Sequence, residues 1–436
     1  MNRFDLIINH GLVVTESYSA RLNIGIKDGI IVQLSSDTLS ANLATKTLDA
    51  TNLTILPGLI DSHVHFNEPG REEWEGFETG SKSLAAGGVT TFFDMPLNSN
   101  PPTTTKEAYL LKKQMAEQKS VVHFRLWGGL VPKNVDQLKE LQEIGVIGFK
   151  AFMSGSGIDE FQACNDVSLL RGMKEIAQIE AILAIHAESE AITNFLADSF
   201  SPNQKVSGKE FSESRPIISE IEAVQKLITY AKITGCRLHI VHVSSRKIAE
   251  VISQAKNEGL DITMETCPHY LSLTTDDIDE KGAIAKCCPP LRERAEVDSL
   301  WKSIIEDEID IIGSDHSPST PELKQGELLQ AWGGISGAQT TLHVLLTEGY
   351  HKRDVSLERI VQLTSTNPAK RFQLFPQKGT IAVGSDADLT IIDPHSSFML
   401  KREDLFYKHK HSPYIGKTLR GTVHYTLVDG NIVHSL

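Results

Sequence analysis

Short apolar runs at 59–66, 89–95, 121–127, 146–153, 181–187, 237–243, 261–267 and 309–314 punctuate the middle of this chain, and the stretches between them carry helical spacing. Strand-length runs apolar on both faces, each followed by a helix, predict a parallel (β/α)8 TIM barrel. Helix signals fit that frame. Ser219 with Glu222 three residues on reads as a capping box, and Gly87-Gly88 ends a helix ahead of the second run. The two ends of the chain carry a different pattern. Residues 5–57 and 379–436 alternate short strand-like runs with Gly and Asp-Gly turns, including a Lys27-Asp28-Gly29 hairpin turn. The prediction is an α/β protein in which 1–55 and 379–436 build one small β-sandwich domain and 56–378 form the catalytic barrel.

Composition narrows the function classes. Of 436 residues, 40% are hydrophobic, enough for a large core. Lys plus Arg number 43 against 56 Asp plus Glu, a formal charge of −13 with no basic run, so nucleic acid and anionic membranes are disfavoured as partners. The opening MNRFDLIINHG lacks the apolar core of a signal peptide, and no apolar stretch is of bilayer-spanning length, which points to the cytoplasm. Five cysteines, none spaced C-x-x-C, fit a reducing compartment without disulfides. The Ser-Gly-Ser-Gly stretch after Met153 and the loop 199–214 read as covers over the barrel mouth.

Barrel enzymes act at the C-terminal ends of their strands, so the polar residues there carry the candidate chemistry. The first run ends in His63 and His65, which alternate onto one face with Asp61. The fourth carries Lys150, the fifth ends in His186, the sixth in His242 and the eighth in Asp315. Any one of these histidines alone reads as a satisfied core or rim residue. Together, four imidazoles and a carboxylate on one rim suit zinc first, then cobalt, manganese or iron. Lys150, between Phe149 and Ala151, would be costly to bury as an ammonium and would repel a metal. Either it pairs with a buried carboxylate such as Asp315 or Glu188, or its neutral amine reacts with carbon dioxide. The resulting carbamate (N6-carboxylysine) can bridge two cations. The count then fits two divalent ions: His63, His65 and Asp315 on one, His186 and His242 on the other, Lys150 across both. Such a pair turns a bridging water into hydroxide and polarises a carbonyl, with Asp315 moving the proton to the leaving nitrogen.

The stretches DSHVHFNEPGR, GFKAFM, IHAES, HVSS, ETCPHYL, KCCPPLR and GSDHSP resemble the amidohydrolase superfamily, in particular its cyclic amidohydrolases. The resemblance spans essentially the whole chain. It implies a small-molecule substrate that is a cyclic amide or imide, two metals, a carboxylated Lys150 and a homotetramer. Dihydroorotases carry an arginine where Asn67 stands, and hydantoinases and dihydropyrimidinases a tyrosine at the place of Gly155. Allantoinases are most similar, through HVHFNEPGR with its Glu-Trp-Glu-Gly and through MPLNSNPPTT. That branch implies ring opening of allantoin to allantoate in purine breakdown. Another cyclic amidohydrolase activity is the nearest alternative, and a non-catalytic scaffold a distant one. A neutral ring needs backbone groups and small polar side chains rather than a charge. The candidates are Asn67, Ser154, Cys287, Cys288 and Ser317, with Arg71 and His269 as supporting groups behind them.

Overall fold

The computed structural model describes residues 3–201 and 204–436. Strands β1 (Phe4–Val14), β2 (Ser19–Lys27), β3 (Ile30–Ser35), β4 (Ala44–Asp49) and β5 (Thr54–Pro57) come first. The barrel follows with β6 (Leu59–Val64), β7 (Val89–Asp94), β8 (His123–Leu126), β9 (Gly128–Gly129), β10 (Phe149–Phe152), β11 (Ile182–His186), β12 (Arg237–Ile240), β13 (Ile262–Thr266) and β14 (Ile311–Ile312). The chain then returns through β15 (Leu389–Met399), β16 (Thr418–Val428) and β17 (Asn431–Ser435).

Both chain ends join one sheet, in the order β17-β16-β15-β5-β1-β2-β3 with β4 also paired to β1. The β2–β3 turn places Asp28 and Gly29 at φ 50 and 78, the left-handed pair that a two-residue hairpin demands. One face encloses its own core, in which Ile8, Ile24, Ile55, Leu389 and Leu427 are all buried, separate from the large core around the barrel.

The barrel strands pair in parallel. Strand three is interrupted only at Trp127, so β8 and β9 are one crossing: Trp127 N donates to Asp94 O on one side and Gly128 N to Gly148 O on the other. Closure runs from the residues after β14 back to β6, through a Val64–His316 bridge and His65 N donating to His316 O at 2.8 Å. β14 is shorter than the 309–314 run suggests, because the chain turns at once into the rim: Asp315 has φ 45. His242 has φ 42. Left-handed backbone at two rim residues is held by the surrounding ladder and aims their side chains inward.

Helix Phe77–Ala86 ends at Gly87-Gly88 as expected. Gly88 has φ 86, and a Cβ there would lie 2.5 Å from the Thr390 side chain on β15, so barrel and sheet pack closely at this turn. The capping box expected at Ser219 is a correction. Helix Ile217–Thr234 starts after Pro216, and Ser219 sits inside its first turn with its hydroxyl donating to Pro216 O. Pro216 fixes the entry angle and lacks an N–H to be capped. The capping box of this region is Ser207 with Glu210, on helix Gly208–Ser214, which occupies the end of the 199–214 loop; Pro202 and Asn203 lie outside the described residues. The five cysteines are free, and no helix of the described residues is long and apolar enough to cross a membrane.

Candidate metal centre

The alternation of β6 delivers His63 and His65 together, and the turn after β14 brings Asp315 across to them. Asp315 Oδ1 lies 3.2 Å from His63 Nε2 and 3.3 Å from His65 Nε2. Opposite, at the ends of β11 and β12, His186 Nδ1 and His242 Nε2 are 3.0 Å apart. Lys150 projects from β10 between the two groups, fully buried over the Phe152 ring, and its Nζ has no hydrogen-bond partner. The expected alternative, an ion pair with Asp315 or Glu188, is therefore absent.

Two buried carboxylates fix the imidazoles. Glu265 of β13 accepts from His63 Nδ1 at 2.5 Å, from Ser62 Oγ at 3.0 Å and from His239 Nε2 at 3.2 Å. Glu188 accepts from His186 Nε2 at 2.6 Å and is gripped by Arg215 through Nε at 3.0 Å and Nη2 at 2.6 Å. Each contact commits one ring nitrogen as a donor, so His63 Nε2 and His186 Nδ1 present lone pairs to the centre, the arrangement that orients metal-binding histidines. Burial would raise Glu188, but Arg215 and His186 hold it down at about 2. Burial lowers His65 to about 4 and His242 well below its ordinary value, so both are neutral at pH 7. Burial opposes ionisation of Asp315, yet His63 and His65 keep it below the usual carboxylate range. Burial brings the Lys150 amine down to about 8.

The donor chemistry fits divalent metal. His63, His65 and Asp315 offer three ligand atoms within 4.8 Å of one another. Lys150 Nζ is a buried polar atom without a partner in the described structure. Unsatisfied groups of this kind are costly in a folded core and collect where a ligand completes them.

The site opens into a cavity of about 510 Å³. Cys287, Cys288 and Ser317 line it, as do Asn98, Gly155, Arg215 and Trp332. Asn67 and Ser154 do not belong to its wall. Asn67 has φ 66 and donates through its side chain to Pro318 O at 3.2 Å, which ties the first and last rim loops together. Arg71 also ties loops, donating to Asn98 O at 2.9 Å and to Glu160 at 3.0 Å, rather than supporting a ligand histidine. His269 is buried beside Asp315 and Cys267, with Nε2 unpartnered. Sequence reasoning missed Glu265 and Arg215. A glutamate inside the apolar run 261–267 was the available signal for the first, since a carboxylate there requires buried partners. For the second there was none, because Arg215 reaches the site only through the fold of the 208–216 segment.

Replacing Glu265 with Gln removes the charge that holds His63, His239 and Ser62. Metal affinity is expected to fall by about 10–100-fold, measured by competition with a chelator, with secondary structure retained.

Residues 54–433 match the amidohydrolase family. The chain belongs to that family, and its barrel and rim define a metal-dependent cyclic amidohydrolase. It is 46% identical over 431 residues to the allantoinase of Deinococcus radiodurans, covering 99% of this chain and 95% of that one. It is 45% identical over 434 residues to the allantoinase of Rubrobacter xylanophilus, with 99% and 95% covered. Among solved structures it resembles the L-hydantoinase (dihydropyrimidinase) from Arthrobacter aurescens, with a TM-score of 0.95, 36% identity, and 99% and 96% of the two chains covered. A D-hydantoinase follows at a TM-score of 0.91 and 29% identity.

Proposed function

We propose that this protein is an allantoinase, hydrolysing the ring amide of allantoin to give allantoate. The observation that carries the reading is full-length identity of 45–46% to proteins named allantoinase, against 36% to the hydantoinase of nearly superimposable fold. The cavity supports it. Gly155 lines the wall with nothing within 4 Å of where a Cβ would stand, which leaves room beside the ring for a substituent.

In this reading His63, His65 and Asp315 would hold one divalent ion and His186 and His242 a second, and Lys150, as N6-carboxylysine, would contribute a ligand to the pair. Zinc is the first choice for this N/O donor set. When bound, such a pair supplies Lewis-acid polarisation of a carbonyl and an acidified water at neutral pH. The chain's own groups do the rest. Cys287 and Cys288 at the cis-Pro289 bend, together with Ser317, hold the neutral ring against the centre. Water adds to the ring carbonyl next to the substituted carbon and the bond to the imide nitrogen breaks. Asp315 takes the proton of the water and returns it to the departing nitrogen, which ends as a ureido NH2 beside a new carboxylate. Glu265 and Glu188 keep the imidazoles in register throughout. We further assign 56–378 to the catalytic unit and 1–55 with 379–436 to the sheet unit, and place the protein in the cytoplasm as a homotetramer without nucleic-acid or membrane partners.

The amine of Lys150 must be neutral to take up carbon dioxide. With its ordinary value lowered to about 8 by burial, the reactive form predominates above that pH. Metal reconstitution of stripped protein at fixed dissolved carbon dioxide is expected to slow by about tenfold for each pH unit below 8. A rate independent of pH between 6 and 9 would remove Lys150 from the loading step. The substrate reading itself is tested by steady-state hydrolysis of allantoin beside hydantoin, dihydrouracil and dihydroorotate, with allantoin expected to turn over most efficiently.

A further inference from the structure

The two halves of the centre are anchored in different parts of the fold. His63, His65 and Asp315 are held by the barrel ladder itself: His65 N donates to His316 O at 2.8 Å, Ser314 Oγ to His63 O at 3.3 Å, and His63 N and Ser314 N both to Asp61 Oδ1, at 3.2 and 3.0 Å. His186 and His242 also end strands, but their bracing comes from residues 212–215. These close the helix Gly208–Ser214, an excursion from the barrel ahead of the helix Ile217–Thr234.

Two arginines carry the connection. Arg215 Nε and Nη2 hold the two oxygens of the wholly buried Glu188, and one of those oxygens accepts from His186 Nε2. Arg292, only 4% exposed, reaches the strand end of the other imidazole. Its Nη1 donates to Ser212 O at 3.2 Å, Ser212 Oγ at 3.1 Å and Arg215 O at 2.8 Å, its Nε to Ser244 Oγ at 3.0 Å and its Nη2 to Glu220 at 2.7 Å. Ser244 stands two residues beyond His242, whose left-handed backbone, φ 42, persists only while its surroundings hold it. Residues 212–215 thus brace both imidazoles of this pair and, among the described residues, hydrogen-bond to no member of the His63, His65 and Asp315 group. Glu188 without Arg215 is a buried charge with one partner fewer, and the cost falls on the contact that orients His186.

We propose that Arg215 is a positioning residue for the ion at His186 and His242, and that holding this ion and closing the 208–216 segment are one coupled equilibrium, from which the ion at His63, His65 and Asp315 stands apart. The proposal rests on the two-ion reading above. Such coupling is reciprocal: what loosens the segment weakens the ion, and the ion tightens the segment.

The test withdraws zinc from the loaded full-length protein with a chelator and counts the ions retained, in wild type, Arg215→Gln, Arg215→Lys, Glu188→Gln and the Arg215→Gln/Glu188→Gln double variant, with melting temperatures alongside. Arg215→Gln is expected to weaken one ion by about 10–100-fold, so that it keeps one where wild type keeps two, with the other ion changed by less than about threefold. Arg215→Lys, which retains the charge without the two-pronged grip, falls between the two. In the Glu188→Gln background the Arg215 substitution adds less than about twofold, because it acts through that carboxylate. A second measurement needs no variant. Amide hydrogen exchange across 208–216 in wild type is expected to slow by at least about tenfold as the second equivalent of zinc binds, and by less than about twofold with the first. Both ions weakened alike by Arg215→Gln, losses that simply add in the double variant, or exchange at 208–216 indifferent to the second equivalent would each overturn the proposal. Wild type that never holds more than one ion would overturn the two-ion reading, and this proposal with it.

Discussion

Lys150→Ala is expected to lose both bound metals and to lower kcat/KM for ring opening by about 10⁴-fold or more, since the acidified water and the polarised carbonyl go together. The reason lies in the burial of this one side chain. Lys150 is fully buried over the Phe152 ring, carries no hydrogen bond, and lies near enough to both groups for its charge to act on His65 and on His186 and His242. An uncarboxylated ammonium there would repel the ions its neighbours are arranged to hold. Lys150→Arg separates charge from chemistry: a guanidinium keeps the positive end but forms no carbamate, and is expected to be as inactive and as metal-poor as the alanine variant. Metal stoichiometry by elemental analysis checks both, and an extra mass of carbon dioxide on the wild-type chain alone marks the modification. Two ions bound to Lys150→Ala would overturn the bridging role.

Asp315→Asn is expected to lower kcat by about 10³-fold with KM changed far less. The amide retains the shape and one oxygen toward His63 and His65 but can neither accept the proton of the attacking water nor pass it on. Because the departing nitrogen must gain a proton for its bond to break, a substrate with a better leaving group should suffer less from the substitution. An equal loss on both would mean that Asp315 serves only as a ligand. The neighbouring histidines hold Asp315 ionised well below neutrality, so the activity of the wild type should not fall on the acid side through protonation of this carboxylate above pH 4.

Much of this centre was legible before the fold. Alternation places His63 and His65 on one face, and the register of apolar runs puts His186, His242 and Asp315 at strand ends whatever the loops do. The eight runs themselves survive as crossings, with the eighth cut to two residues because the left-handed turn at Asp315 ends its ladder early. What could not be read is everything set by contacts distant in the chain. Glu265 meets His63 across 202 positions, and Arg215 meets Glu188 only after the 208–216 segment folds back over the rim. Asn67 stood beside the ligand histidines in sequence, yet it faces Pro318 in the loop rather than the cavity. Ser219 satisfied the capping-box spacing, but Pro216 had already begun the helix.

The central claim is that this centre opens the ring of allantoin in preference to other cyclic amides. Its most direct test is steady-state hydrolysis by metal-loaded protein, grown with bicarbonate, of allantoin, hydantoin, dihydrouracil and dihydroorotate side by side. The account predicts kcat/KM on allantoin at least about 100-fold above each of the others, the discrimination that paired polar contacts to one substituent can supply. Hydantoin or dihydrouracil turned over faster than allantoin would contradict it, leaving the barrel and the metal centre in place and the substrate wrong.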